Sequence, residues 1–121
     1  IITAGSPDKK TVYVMTRSYY NGLVVHGVRI YEYTPGFCHG KMCVSDDIVA
    51  TCGTSNLDYR SFYHHFENDC LYYGCDAVMD TRRDFEESFA KSDEVTDRYR
   101  TGKLASMKLP QMILRIISPM L

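Results

Sequence analysis

The chain lacks any long apolar run. Nothing approaches the roughly 18–20 residues that a membrane-spanning helix needs, and no signal peptide is recognisable. It also lacks a charge excess: 14 Lys and Arg stand against 15 Asp and Glu among its 121 residues. So even a balance disfavours a nucleic-acid binder, which would carry a basic excess or stripe. No CxxC pair occurs among Cys38, Cys43, Cys52, Cys70 and Cys75, and their number is odd. Four of them lie in or beside apolar, strand-like runs. The expectation is therefore buried, reduced thiols in a cytosolic-side domain, with neither zinc nor disulfides. Internal repeats and low-complexity tracts are missing. So is an initiating methionine: the chain opens Ile1-Ile2-Thr3, as though entered in mid-strand, and reads as a fragment.

What is present suffices for one domain of ordinary size, since 45% of the residues are apolar and can build a core. Ile1 to Thr3 read as the end of a strand, broken by Gly5-Ser6-Pro7. Ser6 suits an N-cap, Pro7 the first helical position, and Asp8 the positive end of the helix dipole. Val12, Met15, Tyr19 and Leu23 recur at helical spacing, which predicts a helix over about 7–25, closed by Gly27 at C′. Val28 to Tyr33 alternates as a strand, so strand, helix and strand imply a parallel crossover. After the Pro35-Gly36 turn comes a strand bearing His39 and Lys41. Asp46-Asp47 turns it into Ile48 to Cys52 as a hairpin. Residues 53–61 read as a polar loop and 66–73 as a strand. A helix follows from Asp76 to about Ser92, with Val78, Met79, Phe85 and Phe89 on its apolar side. The fold class expected is α/β: a mixed, largely parallel sheet flanked by helices.

Composition shifts after Asp93. Arg98, Arg100, Lys103, Lys108 and Arg115 make the end basic, and Leu109, Met112, Ile113, Ile116, Ile117 and Met120 fall on one helical stripe. The division expected is a lobe over 1–95 and a basic amphipathic helical tail over 96–121. Such a tail can lie on an anionic lipid surface or pack on its own domain.

Chemistry concentrates in one pattern, His39-x-Lys41-x4-Asp46-x6-Gly53-Thr54-x-Asn56. Residues two apart on an extended strand face the same side, so His39 and Lys41 set an imidazole and an ammonium toward one anion. Apolar neighbours on both sides suggest a buried strand, where an unpaired charge would be costly. Each member has a use on a phosphodiester. Lys41 supplies a point charge and Asn56 amide donors, while Gly53 lets the backbone turn tightly near the ligand. His39 can serve as nucleophile or as general acid. Charge on the phosphoryl oxygens at the transition state is what the lysine and amide would stabilise. Glu67, on the next strand, could hold the imidazole's second nitrogen. His26, His64 and His65 have no lysine two residues on and are expected to be structural.

This spacing resembles the HKD motif of the phospholipase D superfamily at every fixed position. Tyr31 to Phe37, Asn56 to Ser61 and Phe66-Glu67 resemble bacterial cardiolipin synthases. So do Pro7 to Lys10 and Ser118 to Leu121, so that the resemblance covers essentially the whole chain as the C-terminal half of such an enzyme. It implies a phospholipase-D-like lobe in which His39, Lys41, Asn56 and Glu67 are catalytic, with Asp46, Gly53, Thr54 and Ser55 supporting them. Asp46 is expected to be more structural than catalytic. It implies chemistry without a metal or other cofactor. It further implies phosphatidyl transfer through a phosphohistidine, with cardiolipin made from two phosphatidylglycerol molecules and glycerol released. The histidine of the N-terminal motif would be the nucleophile, leaving His39 as general acid and then base. The partners implied are a phospholipid, a membrane surface at the cytoplasmic face and a second HKD lobe, either an N-terminal half or a second copy.

Departures from the family pattern are few. Gly40 stands where Ala is common, Ala4 where Pro is expected, and His64-His65 where the family often has Leu-Asn. The serious departure is that one HKD motif occurs here, whereas in-line displacement through a phosphohistidine needs two histidines. Two other readings therefore stay open: a homodimeric single-motif phosphodiesterase or nuclease, and an inactive lobe that binds lipid or a partner.

Overall fold

The computed structural model describes residues 1–6, 9–100, 113, 115 and 116. Up to residue 100 the order is β1 (Ile2–Ala4), α1 (Lys10–Val25), β2 (Tyr31–Tyr33), β3 (Met42–Ser45), β4 (Val49–Gly53), α2 (Tyr59–Tyr63), β5 (Asp69–Tyr73), α3 (Asp76–Ala90), β6 (Ser92–Glu94) and α4 (Thr96–Arg100). These elements form an α/β structure. Two compact units divide the chain, Ile1–Cys38 with Lys91–Leu121, and His39–Ala90.

In the first unit, β1 pairs parallel with β2 across the expected helical crossover, and β6 pairs antiparallel with β2. The helix starts later than its sequence signals suggest. Lys9 occupies the N-cap in extended backbone with no side-chain cap, so Ser6 lies too far upstream to serve. The Pro7 and Asp8 assignments lie outside the described residues. The helix end is as expected: Gly27 has φ 87°, its N–H donates to the Val24 carbonyl at 3.0 Å, and the Val28 N–H donates to that of Leu23 at 3.1 Å. This double closure needs a left-handed residue, which glycine adopts without a Cβ penalty.

The buried face of α1 is not the expected row. Val12, Tyr19 and Leu23 are exposed, while Tyr20 and Val24 pack with Ile30, Val95 and Tyr99. Tyr20 and Tyr99 meet edge-on at 5.0 Å between centroids. The Tyr20 hydroxyl lies 2.6 Å from Thr3 Oγ1, and burial pushes its phenol pKa well up. Beside this core, Arg17 grips the buried Glu32 with Nε at 2.8 Å and Nη2 at 2.6 Å, and its guanidinium also lies over the Tyr13 ring. β6 is a strand that the sequence reading missed. Ser92-Asp93-Glu94 has poor strand propensity, and pairing with β2 creates the element. α4 docks on α1 through the buried Tyr99, whose carbonyl accepts from Asn21 Nδ2 at 3.0 Å. Most of the expected apolar stripe over 109–120 lies outside the described residues. Of its members Ile113 and Ile116 are described and exposed, and Arg115 reaches the Ser18 carbonyl.

In the second unit, β3, β4 and β5 form an antiparallel sheet on which α3 packs. The expected hairpin is present. Asp46 and Asp47 have φ of 54° and 57°, and the Ile48 N–H donates to the Ser45 carbonyl at 3.1 Å. Consecutive left-handed residues match the right-handed twist of the strands, and aspartate tolerates them. Arg82 of α3 ties the helix to this turn, donating to Asp47 at 2.7 Å. α3 buries Val78 but exposes Met79, which lies one residue round the helix.

The expected mixed α/β arrangement of sheet and helices is present, but its parallel character is only partial. Among the described residues there are two three-stranded sheets, with β1–β2 the parallel pairing and the other three antiparallel. A tight turn such as 46–48 can only join antiparallel neighbours. The thiols are free, as expected, but not buried: Cys43, Cys52, Cys70 and Cys75 are exposed and Cys38 is half-buried. Among the described residues no helix is long and apolar enough to cross a membrane.

Candidate active site

His39 and Lys41 precede β3 instead of lying within it. His39 is exposed and Lys41 half-buried, and three of the four β3 residues are exposed. The expectation of a polar pair on a buried strand is corrected. β3 is an edge of its sheet, so solvent relieves the charge penalty. Lys41 still belongs to the sheet's frame, because its carbonyl accepts from the Gly53 N–H at 3.1 Å. Its ammonium turns back to the His39 carbonyl at 2.8 Å, which keeps the two side chains' bases together.

Gly53 ends β4 and leads into Thr54-Ser55-Asn56. The carboxylate of Asp69 gathers this loop. Its Oδ1 accepts from the Thr54 N–H at 2.8 Å and the Ser55 N–H at 3.2 Å, and Oδ2 accepts from the Ser55 hydroxyl. The Ser55 hydroxyl and these backbone donors hold the Asp69 carboxyl below its usual range. Asn56 is placed from the other side, its N–H donating to Ser61 Oγ at 3.1 Å. Ser61 is itself fixed by α2, whose N-cap Asp58 accepts from the Ser61 N–H at 2.8 Å. This short helix begins inside the stretch 53–61 expected to be loop and runs on to Tyr63. Asp58 three residues ahead of Ser61 is the capping signal that marks it.

Glu67 lies just before β5, half-buried. Its Oε2 accepts from the Thr54 hydroxyl at 2.6 Å, a second hydrogen bond comes from the Ser61 side chain, and His65 Nδ1 stands 3.8 Å from Oε1. The Thr54 and Ser61 hydrogen bonds hold its carboxyl below the usual range. At neutral pH it is an ionised acceptor with a fixed orientation.

These pieces bound an open cleft of about 400 Å³ within the second unit, into which His39, Lys41, Gly53, Thr54, Asn56 and Glu67 are brought together. Asp46 and Ser55 do not line it. Asp46 sits in the β3–β4 turn and accepts from Ser45 Oγ at 3.1 Å, while Ser55 is turned to Asp69. His65 was expected to be structural but lines the cleft, unlike His64, which packs beside the Tyr59 ring at 5.6 Å. Asp69 was missed altogether, since no spacing rule links it to Thr54. Among the described residues no cluster of three or more His, Cys, Asp or Glu is arranged for a metal ion. The cleft offers an imidazole, an ammonium and an amide to an anion, with an ionised acid beside them. That is equipment for charge neutralisation and proton transfer on an oxyanion.

Fold and cleft together define an α/β domain with an open cleft equipped to hold an anionic group. The comparisons with known proteins then identify its family. The model of the "Cardiolipin synthase, PLD-like domain" matches residues 1–89. An uncharacterized protein of Streptococcus mutans is 42% identical over 121 residues, all of this chain and 26% of that protein. Cardiolipin synthase 2 of Bacillus anthracis is 35% identical over 122 residues, covering 100% of this chain and 24% of the relative. Cardiolipin synthase 1 of Staphylococcus aureus is 36% identical over 115 residues, 95% of this chain and 23% of the relative. No solved structure matches. The chain belongs to the cardiolipin synthase family of phospholipase-D-like domains, and it spans about a quarter of the length of these curated relatives.

Proposed function

We propose that this chain is one lobe of a phosphatidyltransferase that makes cardiolipin from two phosphatidylglycerol molecules and releases glycerol. The observation that carries the reading is the shared cleft of His39, Lys41 and Asn56, with Glu67 held ionised beside it, in a chain of this family. In this reading Lys41 and the Asn56 amide neutralise the phosphoryl oxygens of the lipid headgroup. His39 protonates the departing glycerol oxygen and afterwards takes the proton of the attacking alcohol, which follows from microscopic reversibility. Glu67 orients the imidazole electrostatically, while Asp46, Gly53, Thr54 and Ser55 shape the loop and turn. A second HKD lobe, an N-terminal half or another copy, supplies the nucleophilic histidine that forms the phosphohistidine. The lobe works at an anionic membrane surface on its cytoplasmic face, with the basic stretch 96–121 as the contact.

The test is conversion of phosphatidylglycerol vesicles to cardiolipin, followed by thin-layer chromatography. The chain as a monomer is expected to turn nothing over. Joined to a lobe that carries an upstream His-x-Lys-x4-Asp motif, it is expected to make cardiolipin, and His39→Ala is expected to abolish this. Robust turnover by monomeric chain, lost in His39→Ala, would sink the half-site reading. A joined pair that makes no cardiolipin while binding phosphate would sink the choice of reaction.

A further inference from the structure

His65 is held at two points by the same residue. The Arg60 carbonyl accepts from the His65 backbone N–H at 2.8 Å, and Arg60 Nε–H donates to His65 Nε2 at 3.1 Å. A guanidinium is always protonated and has no acceptor, so the Nε2 facing it must be the bare nitrogen. The ring's proton then sits on Nδ1, the nitrogen that stands 3.8 Å from Glu67 Oε1. The other oxygen of that carboxylate takes the Thr54 hydroxyl at 2.6 Å. Arg60, His65, Glu67 and Thr54 thus stand in a row from α2 to the loop after β4, hydrogen-bonded at its two ends, with the 3.8 Å approach of Nδ1 to Oε1 between them.

We propose that His65 is a positioning residue of this cleft: its Nδ1–H, set by Arg60 behind it, orients the Glu67 carboxylate against the phosphate site. The inference rests on the reading of the cleft as a phosphodiester site and deepens it. Metal-ligating histidines show the same logic, in which the partner of one ring nitrogen decides the proton on the other. An asparagine at this position would likewise present an N–H donor through its side-chain amide. What the imidazole adds is a rigid ring that spans from the guanidinium to the acid. His65 touches no reacting atom, so its effect reaches substrate through Glu67.

The experiment is imidazole 15N spectroscopy on the labelled chain, the His65 signals being assigned by their loss in His65→Asn. The expected result is the Nδ1–H tautomer at His65, lost in Arg60→Ala. The Glu67 carboxyl titration, followed by 13C shifts, is expected to rise by a few tenths of a pH unit in His65→Ala and to be largely restored in His65→Asn. An Nε2–H tautomer overturns the proposal, as does a Glu67 titration that His65→Ala leaves unmoved. Inorganic phosphate added to the same samples separates the two readings. If phosphate fails to perturb His39 and Lys41, the phosphodiester reading falls, whereas the tautomer and the Glu67 titration test His65 alone.

Discussion

Gly53 lies directly against Asp69, and a Cβ placed on the glycine would overlap the Asp69 carboxylate and the Asn68 carbonyl. The same Asp69 carboxylate holds the Thr54 and Ser55 amides. The glycine is therefore required for the close passage of β5 behind the loop, a reason different from the tight turn toward a ligand that its spacing suggests. Gly53→Ala forces strand and loop apart. It is expected to cost roughly 1–3 kcal/mol in urea denaturation and to remove phosphate-induced shifts at Thr54 and Asn56.

Lys41 and Asp46 should separate cleanly. The ammonium lines the cleft, whereas Asp46 sits in the turn at the far end of β3. Lys41→Ala is expected to weaken inorganic phosphate binding about tenfold, the loss of one charge-assisted hydrogen bond. Asp46→Asn keeps a residue that tolerates positive φ and is expected to leave that binding unchanged. Calorimetric titration of both variants reads the difference.

The Arg17–Glu32 pair is a stability element of the first unit. Glu32 is 6% exposed, and Arg17 meets both of its carboxylate oxygens. Arg17→Ala strands a buried carboxylate. The expected loss is about 3 kcal/mol, toward the low end for such pairs because the guanidinium is partly exposed. Denaturant midpoints read it, and a double variant that also carries Glu32→Gln should lose less than the sum of the two single changes.

Acid sensitivity has a defined source in Glu94. The fork of Arg29, at 3.0 and 2.7 Å, and then the Thr96 hydroxyl at 2.8 Å pull its pKa from 4.5 to about 2. A carboxyl depressed in the folded state binds its proton more readily when unfolded, so its stabilisation is complete above pH 4.5 and fades as pH falls toward 2. Glu94→Gln is expected to flatten the slope of stability against pH within that window and to leave it unchanged above. Urea midpoints from pH 2 to 7 measure it.

Local rules carried part of this fold from residues alone. Gly27 and its double closure, the Asp46-Asp47 hairpin and the β1–α1–β2 crossover depend on conformations available to one or two residues and on short connections, so composition exposes them. The spacing of His39, Lys41 and Asn56 was legible for the same reason: a strand, a tight turn and a returning strand bring such positions to one end of a hairpin.

Tertiary structure decided the rest. β6 exists because β2 offers it an edge some 60 residues away in sequence, and no local preference of Ser92-Asp93-Glu94 announces it. The buried face of α1 is set by the arrival of Tyr99 and Val95, which rotates burial onto Tyr20 and Val24. Behind the cleft loop, Asp69 reaches Thr54 across 15 residues. Chemical type and short spacing are properties of the chain, whereas exposure and the partners of distant groups depend on neighbours that only long-range packing supplies.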